Sequence, residues 1–304
     1  KSNAPLGGYS VNPYVGCPHA CRYCYASFMK RFTGHKEEWG TFLDVKHWPK
    51  IKNPKKYAGQ RVVIGSVTDG YNPQEEQFGN TRKLLEQLIG SDADILICTK
   101  SDLVVRDIDL LKKLGRVTVS WSINTLDENF KNDMDSASSI ERRISAMKQV
   151  YEASIRTVCF VSPVFPGITD FEAIFERVKD QCDLFWLENL NLRGGFKKTI
   201  MDYIAGKYPD LVPLYDEIYN RHNRSYFEAL EVKAEKMAKK YDCAFVDDCR
   251  PIGTLVNDVE VVGGTDDLAK LFGEYKQLII TIGNNALREK IYRQAAEIGY
   301  TFPN

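Results

Sequence analysis

The order of apolar and polar residues along the chain predicts strands that alternate with helices. Short runs rich in β-branched residues and bounded by Gly, Pro, Asn or Asp are typical of strands. Six such runs occupy residues 9–16, 61–67, 92–99, 116–123, 155–164 and 183–192. Between them apolar residues recur at helical spacing, which predicts helices over 75–89, 103–114 and 140–153. One face of the last carries Ile140, Ile144, Met147 and Tyr151. This alternation predicts a parallel sheet with helices packed outside it.

The pattern changes after residue 193 and predicts an additional C-terminal unit. Two long helices are expected over 198–220 and 225–241, followed by a short strand at 243–248. Strands at 259–264 and 277–285, with helices from 265 and over 287–298, predict a small α/β unit. We therefore predict an α/β protein: a partial (β/α)6 TIM-like barrel over residues 5–250 and an extra C-terminal small α/β segment over 251–304.

Polar residues collect where four of the predicted strands end. They are Ser66, Thr68 and Asp69 after the second strand, Thr99 and Lys100 after the third, Ser122 and Asn124 after the fourth, and Glu188, Asn189 and Asn191 in the sixth. Taken one at a time, each is explained as well by turn geometry or by a buried hydrogen bond. The carboxyl ends of parallel strands meet at one edge, where barrel enzymes carry their active sites. The agreement of four strands therefore predicts a functional site at that edge.

Composition narrows the class of protein without indicating a function. The chain of 304 residues is 43% hydrophobic and 27% charged, and 41 basic side chains balance 41 acidic ones. No global charge therefore draws the protein toward nucleic acid or an anionic membrane. No apolar run reaches the length of a membrane span, and no secretion signal precedes the cysteines. We expect a cytoplasmic protein without membrane contact, whose cysteines are reduced or metal-bound.

Three of the cysteines form a compact motif. Cys17, Cys21 and Cys24 stand at spacings of four and three in the stretch CPHACRYC. A structural zinc site needs a fourth ligand, and a disulfide is uncommon in a reducing compartment. An iron–sulfur cluster held by three thiolates leaves one iron open to another ligand. The spacing by itself leaves these three interpretations open.

The stretch CPHACRYCY resembles the C-x-x-x-C-x-aromatic-C motif of the radical S-adenosylmethionine (radical SAM) enzymes, and the likeness extends over roughly residues 9–250. The resemblance implies a [4Fe–4S] cluster on Cys17, Cys21 and Cys24 whose remaining iron is chelated by S-adenosylmethionine (SAM). It also implies that one electron from the cluster cleaves SAM to methionine and a 5′-deoxyadenosyl radical. That radical abstracts a hydrogen atom from a substrate.

The surrounding residues are most similar to the spore photoproduct lyase-like branch of this family. The stretches that carry the likeness are YSVNPYVGCPHACRYCYASF, VTDGYNP, ICTKSD, WSINT and SPVFPGITD. Within the branch, the chain most resembles the proteins called radical SAM mobile pair protein B. That resemblance implies a lyase- or oxidoreductase-type enzyme whose partners include a second radical SAM protein and an electron donor such as flavodoxin or ferredoxin.

Site residues carried over from the lyase-like pattern lie at the ends of the predicted strands. The resemblance implies that Thr68, Lys100 and Ser122 contact SAM. The chemistry agrees, because an ammonium suits the methionine carboxylate and hydroxyls suit the polar groups of SAM. Asp69 is expected to accept from the SAM amino group or, more simply, to cap the helix that follows. The other expected cofactor contacts are Tyr23, Asn124, Glu188 and Asn191.

One position departs from the lyase pattern. The lyases carry a hydrogen-donating cysteine two residues before the Ser or Thr that contacts SAM, and this chain has Ser66 there. A serine O–H bond is too strong to donate hydrogen to a carbon radical, so photoproduct repair by that route is not expected. Candidates for the catalytic residues are Tyr25, which is expected near the cluster, Ser66 and Cys98. Cys98 and Cys159 both lie in predicted strands, where a cysteine usually acts as a small apolar residue.

Two further stretches bear on partners. Residues 46–61 carry six Lys or Arg and no acidic residue, with Trp48 and Tyr57 among them. This pattern suits phosphate or nucleic acid, but we favour a solvated basic loop. The tail from residue 246 weakly resembles part of the N-terminal unit of hexapeptide-repeat sugar acyltransferases, in FVDDCRPIGTLVNDVEVVGGTDDL and IITIGNNALREKI. We carry no acyltransferase activity over from it.

The leading hypothesis is a SAM-cleaving radical enzyme that acts on a small molecule or a nucleic-acid component. The second is a non-catalytic iron–sulfur or electron-transfer partner of another radical SAM protein. The third is a zinc-stabilised nucleic-acid binding protein, and the lack of a fourth nearby Cys or His ligand counts against it.

Overall fold

The computed structural model of the protein describes residues 8–240, 245–246, 251–256, 259–275 and 285–300. The chain divides into two compact units, Lys1–Tyr215 and Asp216–Asn304. The predicted boundary between residues 250 and 251 adjoins residues outside the described ranges and stays a prediction. Most of the strand predicted at 277–285 also lies outside them.

A parallel sheet forms the centre of the first unit. The strands of this unit are β1 (Tyr9–Val11), β2 (Tyr14–Val15), β3 (Asp44–Val45), β4 (Arg61–Ile64), β5 (Asp94–Thr99), β6 (Arg116–Ser122), β7 (Arg156–Val164) and β8 (Leu184–Asn189). Strands β1, β4, β5, β6, β7 and β8 pair in that order, every pair parallel, while β2 and β3 form a separate antiparallel pair. The predicted partial (β/α)6 barrel is confirmed.

Six α-helices lie between these strands along the chain, and the next two follow β8. They are α1 (Glu75–Phe78), α2 (Asn80–Leu88), α3 (Ile108–Leu111), α4 (Glu128–Met134), α5 (Ile140–Glu152), α6 (Phe171–Val178), α7 (Phe196–Lys207) and α8 (Val212–Tyr219). Neither α4 nor α6 was predicted, although each begins at an aspartate whose carboxylate accepts backbone N–H groups of the first turn, Asp127 for α4 and Asp170 for α6. An Asp in this position is a common start signal for a helix.

Several predicted elements are divided in the structure. The first predicted strand breaks at Asn12–Pro13, because proline has no N–H group to donate to a neighbouring strand. At this break the Asn12 Oδ1 accepts the backbone N–H groups of Val67 (3.0 Å) and Thr68 (3.2 Å). The helix predicted at 75–89 is interrupted by Gly79, whose φ is +60°. The one predicted at 198–220 is interrupted by the 3-10 turn Pro209–Leu211.

The core lies between the sheet and its outer helices. Ile140, Ile144 and Met147 of α5 are buried as predicted, but Tyr151 is 39% exposed and the fully buried Val150 takes its place. On the strands, Ile97, Trp121 and Val161 are buried among other apolar residues. These side chains face the outer helices. Because side chains alternate between the two faces of a strand, the residues between them line the inside of the barrel.

The second unit is a small α/β arrangement. Its described elements are α9 (Ser225–Lys240), β9 (Phe245–Val246), β10 (Leu255–Val256), β11 (Val259–Gly263), α10 (Leu268–Leu271) and α11 (Asn285–Ile298). β11 pairs antiparallel with β10 and parallel with β9. Leu268, Ile291, Ala295 and Tyr300 form its buried cluster. None of the helices in the described ranges of either unit is long and apolar enough to cross a membrane.

Candidate functional site

The three motif cysteines lie on one loop between β2 and the 3-10 helix Tyr25–Phe32. Each thiol is free and partly buried. Burial raises the pKa of Cys17 to about 12 and raises that of Cys21 above its usual value. In the described ranges, no three His, Cys, Asp or Glu side chains converge on a single metal ion. A cluster does not require such convergence, because each thiolate binds a different iron.

Asp69 attaches this loop to the ends of β4 and β5. Its carboxylate lies within hydrogen-bond distance of His19 Nε2 (3.0 Å) and accepts from Thr99 Oγ1 (2.8 Å) and from the backbone N–H of Lys100 (2.7 Å) and of Tyr71 (2.8 Å). Burial alone would raise the pKa of Asp69, but His19 and these N–H groups outweigh it and hold the pKa below its usual value. The expectation that Asp69 caps the next helix is wrong, since the N-cap of α1 is Gln74.

A second attachment joins the loop to β6 and α5. The Tyr23 hydroxyl donates to Asp135 Oδ2 at 3.3 Å, and Arg143 Nη2 donates to Asp135 Oδ1 at 2.7 Å. Arg143 is fully buried, and its Nη1 also donates to the carbonyl of Ser122 at 3.0 Å. One guanidinium therefore positions both the cysteine loop and the end of β6, where a cofactor contact was predicted.

Lys100 projects toward the cysteine loop. Its Nζ lies 5.7 Å from the centre of the Tyr23 ring. Burial opposes the charged ammonium, but Cys21 and Asp135 outweigh it and raise the pKa of Lys100. Within the described contacts, the ammonium makes no hydrogen bond, so it is available to an anionic ligand beside Cys21.

Asn124 and Thr68 are the most buried of the other predicted cofactor contacts. Asn124, just beyond β6, is 2% exposed and its Nδ2 has no hydrogen-bond partner among the described residues. A buried donor without a partner costs about 1–3 kcal/mol. Thr68 is also 2% exposed, and its backbone N–H is taken by Asn12. Ser122 is partly buried at the end of β6.

Glu188 lies in β8, the last strand of the sheet, and Asn191 lies two residues beyond its end. Both side chains are exposed, and Glu188 Oε2 accepts from Ser162 Oγ at 2.5 Å. Their predicted contact with the cofactor stays a prediction.

The three candidate catalytic residues cluster at the barrel mouth. The Tyr25 hydroxyl donates to the carbonyl of Ser66, and the Ser66 hydroxyl is hydrogen-bonded to Ser10 and to Asn12 Nδ2. The Tyr25 side chain is 61% exposed. Cys98 follows Ile97, the register partner of Ile64, so it lies beside the segment that leads from β4 to Ser66. Cys98 is partly exposed there, whereas Cys159 is fully buried in the core.

The basic stretch 46–61 ends at the opposite edge of the barrel. Tyr57 packs edge to face on Tyr9, the first residue of β1, with ring centres 5.0 Å apart. Arg61 Nη2 lies 2.8 Å from Asp94 Oδ2, and these two residues begin β4 and β5. The end of this stretch therefore lies at the amino ends of β1 and β4, and the solvated basic loop stays a prediction.

Comparisons with known proteins place the first unit in a family. Residues 11–178 match the Radical SAM superfamily, and the chain therefore belongs to it. The uncharacterized protein MJ0683 of Methanocaldococcus jannaschii is 37% identical over 208 residues, which are 68% of this chain and 78% of that protein. The uncharacterized protein ORF301 of Acidianus two-tailed virus is 30% identical over 244 residues, 73% of this chain and 79% of that protein. Residues 222–295 match the PglD N-terminal domain.

A solved structure shares the fold. It is a double mutant of spore photoproduct lyase with bound AdoMet and dinucleoside spore photoproduct, with a TM-score of 0.52 and 20% sequence identity over 69% of this chain. The chain spans 63% of the length of that lyase chain. The likeness shows a common fold, and the activity of the lyase is not transferred with it.

The residues present fit the cofactors used in this superfamily. The donor set offers three thiols on one loop, an ammonium without a hydrogen bond beside Cys21, and an unpartnered amide at Asn124. The ammonium suits an anionic group of a bound molecule, and the amide N–H suits a polar acceptor group of that molecule.

Sequence patterns alone missed the positioning roles of Asn12, Asp135 and Arg143. Arg143 carried a usable signal, since it stands on the apolar face of α5 between Ile140 and Met147, where a charge needs a buried partner.

Proposed function

We propose that this chain is a radical SAM enzyme that binds a [4Fe–4S] cluster through Cys17, Cys21 and Cys24 and cleaves SAM reductively to act on a substrate still to be identified. The observation that carries the proposal is the Lys100 ammonium, which has no hydrogen bond among the described contacts and lies 5.7 Å from the centre of the ring of Tyr23, which stands between Cys21 and Cys24 in the sequence. When bound, the reduced cluster supplies the electron that splits SAM into methionine and a 5′-deoxyadenosyl radical.

The roles of the chain's own residues follow from their chemistry. Lys100 binds the methionine carboxylate of SAM, because a compact ammonium pairs with a carboxylate. Asn124 donates its free amide N–H to a SAM oxygen, and Thr68 and Ser122 complete the polar contacts. The Tyr23 ring faces the Lys100 ammonium, and the Tyr23 hydroxyl donates a hydrogen bond to Asp135. Asp69 keeps the cysteine loop in register with the ends of β4 and β5.

Photoproduct repair is not part of the proposal. Ser66 stands where the lyase pattern has a hydrogen-donating cysteine, and its hydroxyl is engaged by Ser10 and Asn12. A partner radical SAM protein and a flavodoxin- or ferredoxin-type electron donor remain predictions of the resemblance.

The test is anaerobic reconstitution with iron and sulfide, followed by dithionite and SAM. We expect 5′-deoxyadenosine in amounts well above those from the Cys21→Ala variant. Lys100→Met should weaken SAM binding while the cluster absorbance persists, and Lys148→Met, an exposed lysine on the outer helix α5, is the matched control. Product no greater than that of Cys21→Ala refutes the proposal.

The same preparation separates the alternatives. A reducible cluster whose spectrum is indifferent to SAM supports the electron-transfer hypothesis. Colourless protein with stoichiometric zinc supports the zinc hypothesis.

A further inference from the structure

We propose that the inside of the barrel on β7 and β8 binds the substrate, and that the substrate carries a protonated amine next to an apolar or ring-shaped portion. The inner wall, as we call this surface, consists of Phe160, Ser162, Trp186 and Glu188. The inference rests on the proposed function, because it names the substrate class of that same barrel site.

Strand register for Phe160 and Trp186, and a hydrogen bond between Ser162 and Glu188, show that these four side chains share one face of the sheet. Phe160 is the register partner of Trp186, and side chains alternate between faces along a strand. On the outer face of β8, Phe185 packs edge to face on Phe175 of α6 with ring centres 5.2 Å apart. On the outer face of β7, Val161 is fully buried. The intervening residues therefore point into the barrel.

The lower part of the inner wall is aromatic. The rings of Phe160 and Trp186 meet edge to face, with centres 5.5 Å apart and planes at 89°. The Trp186 Nε1 is buried without a hydrogen-bond partner among the described residues. Aromatic faces attract both flat rings and cations. This part of the wall suits the apolar or ring-shaped portion of a ligand.

The upper part of the inner wall carries one carboxylate. Ser162 Oγ orients Glu188 by donating to Oε2. Within the described part of the chain, Glu188 forms no ion pair with Lys, Arg or His. Its hydrogen-bond partner Ser162 is uncharged. A carboxylate beside aromatic rings and without a basic partner is complementary to a protonated nitrogen, which forms a charge-assisted hydrogen bond.

The location separates this wall from the proposed SAM carboxylate site. Lys100 directly follows β5, whereas Glu188 lies in β8, three strands further along the sheet. SAM is itself a cation, so the experiment must distinguish a substrate role of Glu188 from a role in SAM binding.

The test uses three probes of similar shape: phenethylamine as the cation, 2-phenylethanol as the neutral analogue and 3-phenylpropionate as the anion. Binding is measured by ligand-observed NMR titration on the anaerobically reconstituted protein with SAM and without reductant. We expect phenethylamine to bind best and Glu188→Gln to weaken it about tenfold or more, because a charged hydrogen bond is lost. Trp186→Leu should weaken both phenethylamine and 2-phenylethanol.

Controls and refutation follow from the same titrations. Glu152→Gln removes an exposed carboxylate on α5 and should leave binding of the probes unchanged. Ser162→Ala should cause a smaller loss than Glu188→Gln, since it removes only the orienting hydrogen bond. Equal binding of the three probes, or no binding, overturns the inference. A tenfold loss of SAM affinity in Glu188→Gln with phenethylamine affinity retained also overturns it, by assigning Glu188 to SAM.

The inference and the proposed function fail separately. Absence of 5′-deoxyadenosine in the reductive assay refutes SAM cleavage, while the amine preference is measured without reductant and does not depend on turnover.

Discussion

Replacing Asp69 by Asn tests whether one carboxylate holds the cysteine loop to the barrel. Asn has nearly the same shape and keeps one acceptor, so the backbone N–H of Tyr71 still has a partner. Its amide NH2 group, however, replaces the oxygen that faces the Lys100 N–H (2.7 Å) and His19 Nε2 (3.0 Å). The buried Lys100 N–H then meets a donor instead of an acceptor, whereas a neutral His19 ring can present either a donor or an acceptor at Nε2.

The magnitude follows from that backbone N–H group. A buried polar group left without a partner costs about 1–3 kcal/mol, so we expect a loss of that size in the free energy of unfolding of the first unit. Since domains are stable by only about 5–15 kcal/mol, this loss is large. The loosened loop should also retain less iron per chain after reconstitution.

Urea unfolding of the metal-free, reduced protein followed by tryptophan fluorescence measures this loss. All four tryptophans, at positions 39, 48, 121 and 186, lie in the first unit, so the signal reports that unit alone. Asp109→Asn is the matched control, because Asp109 forms an exposed ion pair with Arg82 and such pairs contribute little. If Asp69→Asn and Asp109→Asn unfold at the same urea concentration and hold equal iron, the positioning role of Asp69 is refuted.

Three other predictions concern the framework around the site. Arg143→Met should cost up to about 3–5 kcal/mol, because it removes one of the two basic side chains that pair with the buried Asp135 and leaves Lys131 at 3.5 Å as the other. Adding Asp135→Asn should restore part of the loss in the same urea assay. Burial alone would raise the pKa of Asp135, but Arg143 and Lys100 outweigh it and hold the pKa low. The ionised Asp135 therefore stabilises the fold at pH values above its unfolded-state pKa, and this contribution is lost as the pH falls through the folded-state pKa. The difference in urea midpoint between wild type and Asp135→Asn should accordingly shrink below about pH 4. A difference that stays constant with pH would contradict this prediction. Gly65→Ala should lower the urea midpoint more than Gly59→Ala. Both glycines have a positive φ, but a Cβ at Gly65 would lie 2.3 Å from the carbonyl oxygen of Cys98, whereas a Cβ at Gly59 would meet no atom of the described residues within 4 Å. Equal midpoints of the two variants would show that the close approach at Gly65 is tolerated.

Sequence patterns located the strands better than the helices. Each barrel strand is an apolar, β-branched run between turn residues, a signal that burial in a parallel sheet imposes directly. The helices α1, α3 and α4 are short, and their limits depend on Gly79, on 3-10 turns and on capping aspartates. Periodicity over a few residues cannot separate these alternatives.

Tyr151 shows the same limit on a longer helix. Its spacing puts it on the apolar face of α5, yet Val150 is the residue that the core buries. An apolar stripe is wide enough to include either, and only the packing of neighbouring elements decides between them.

The sequence by itself determined the family, the barrel and the loop that carries Cys17, Cys21 and Cys24, because strand periodicity and cysteine spacing are local properties of the chain. The tertiary structure alone decided which partners hold that loop. Asp69 was expected to cap a helix and instead joins His19 to Lys100. Arg143, more than a hundred residues from the cysteines, positions them through Asp135. Hydrogen bonds between distant segments depend on the direction in which each side chain leaves its strand or helix, and folding brings those directions together.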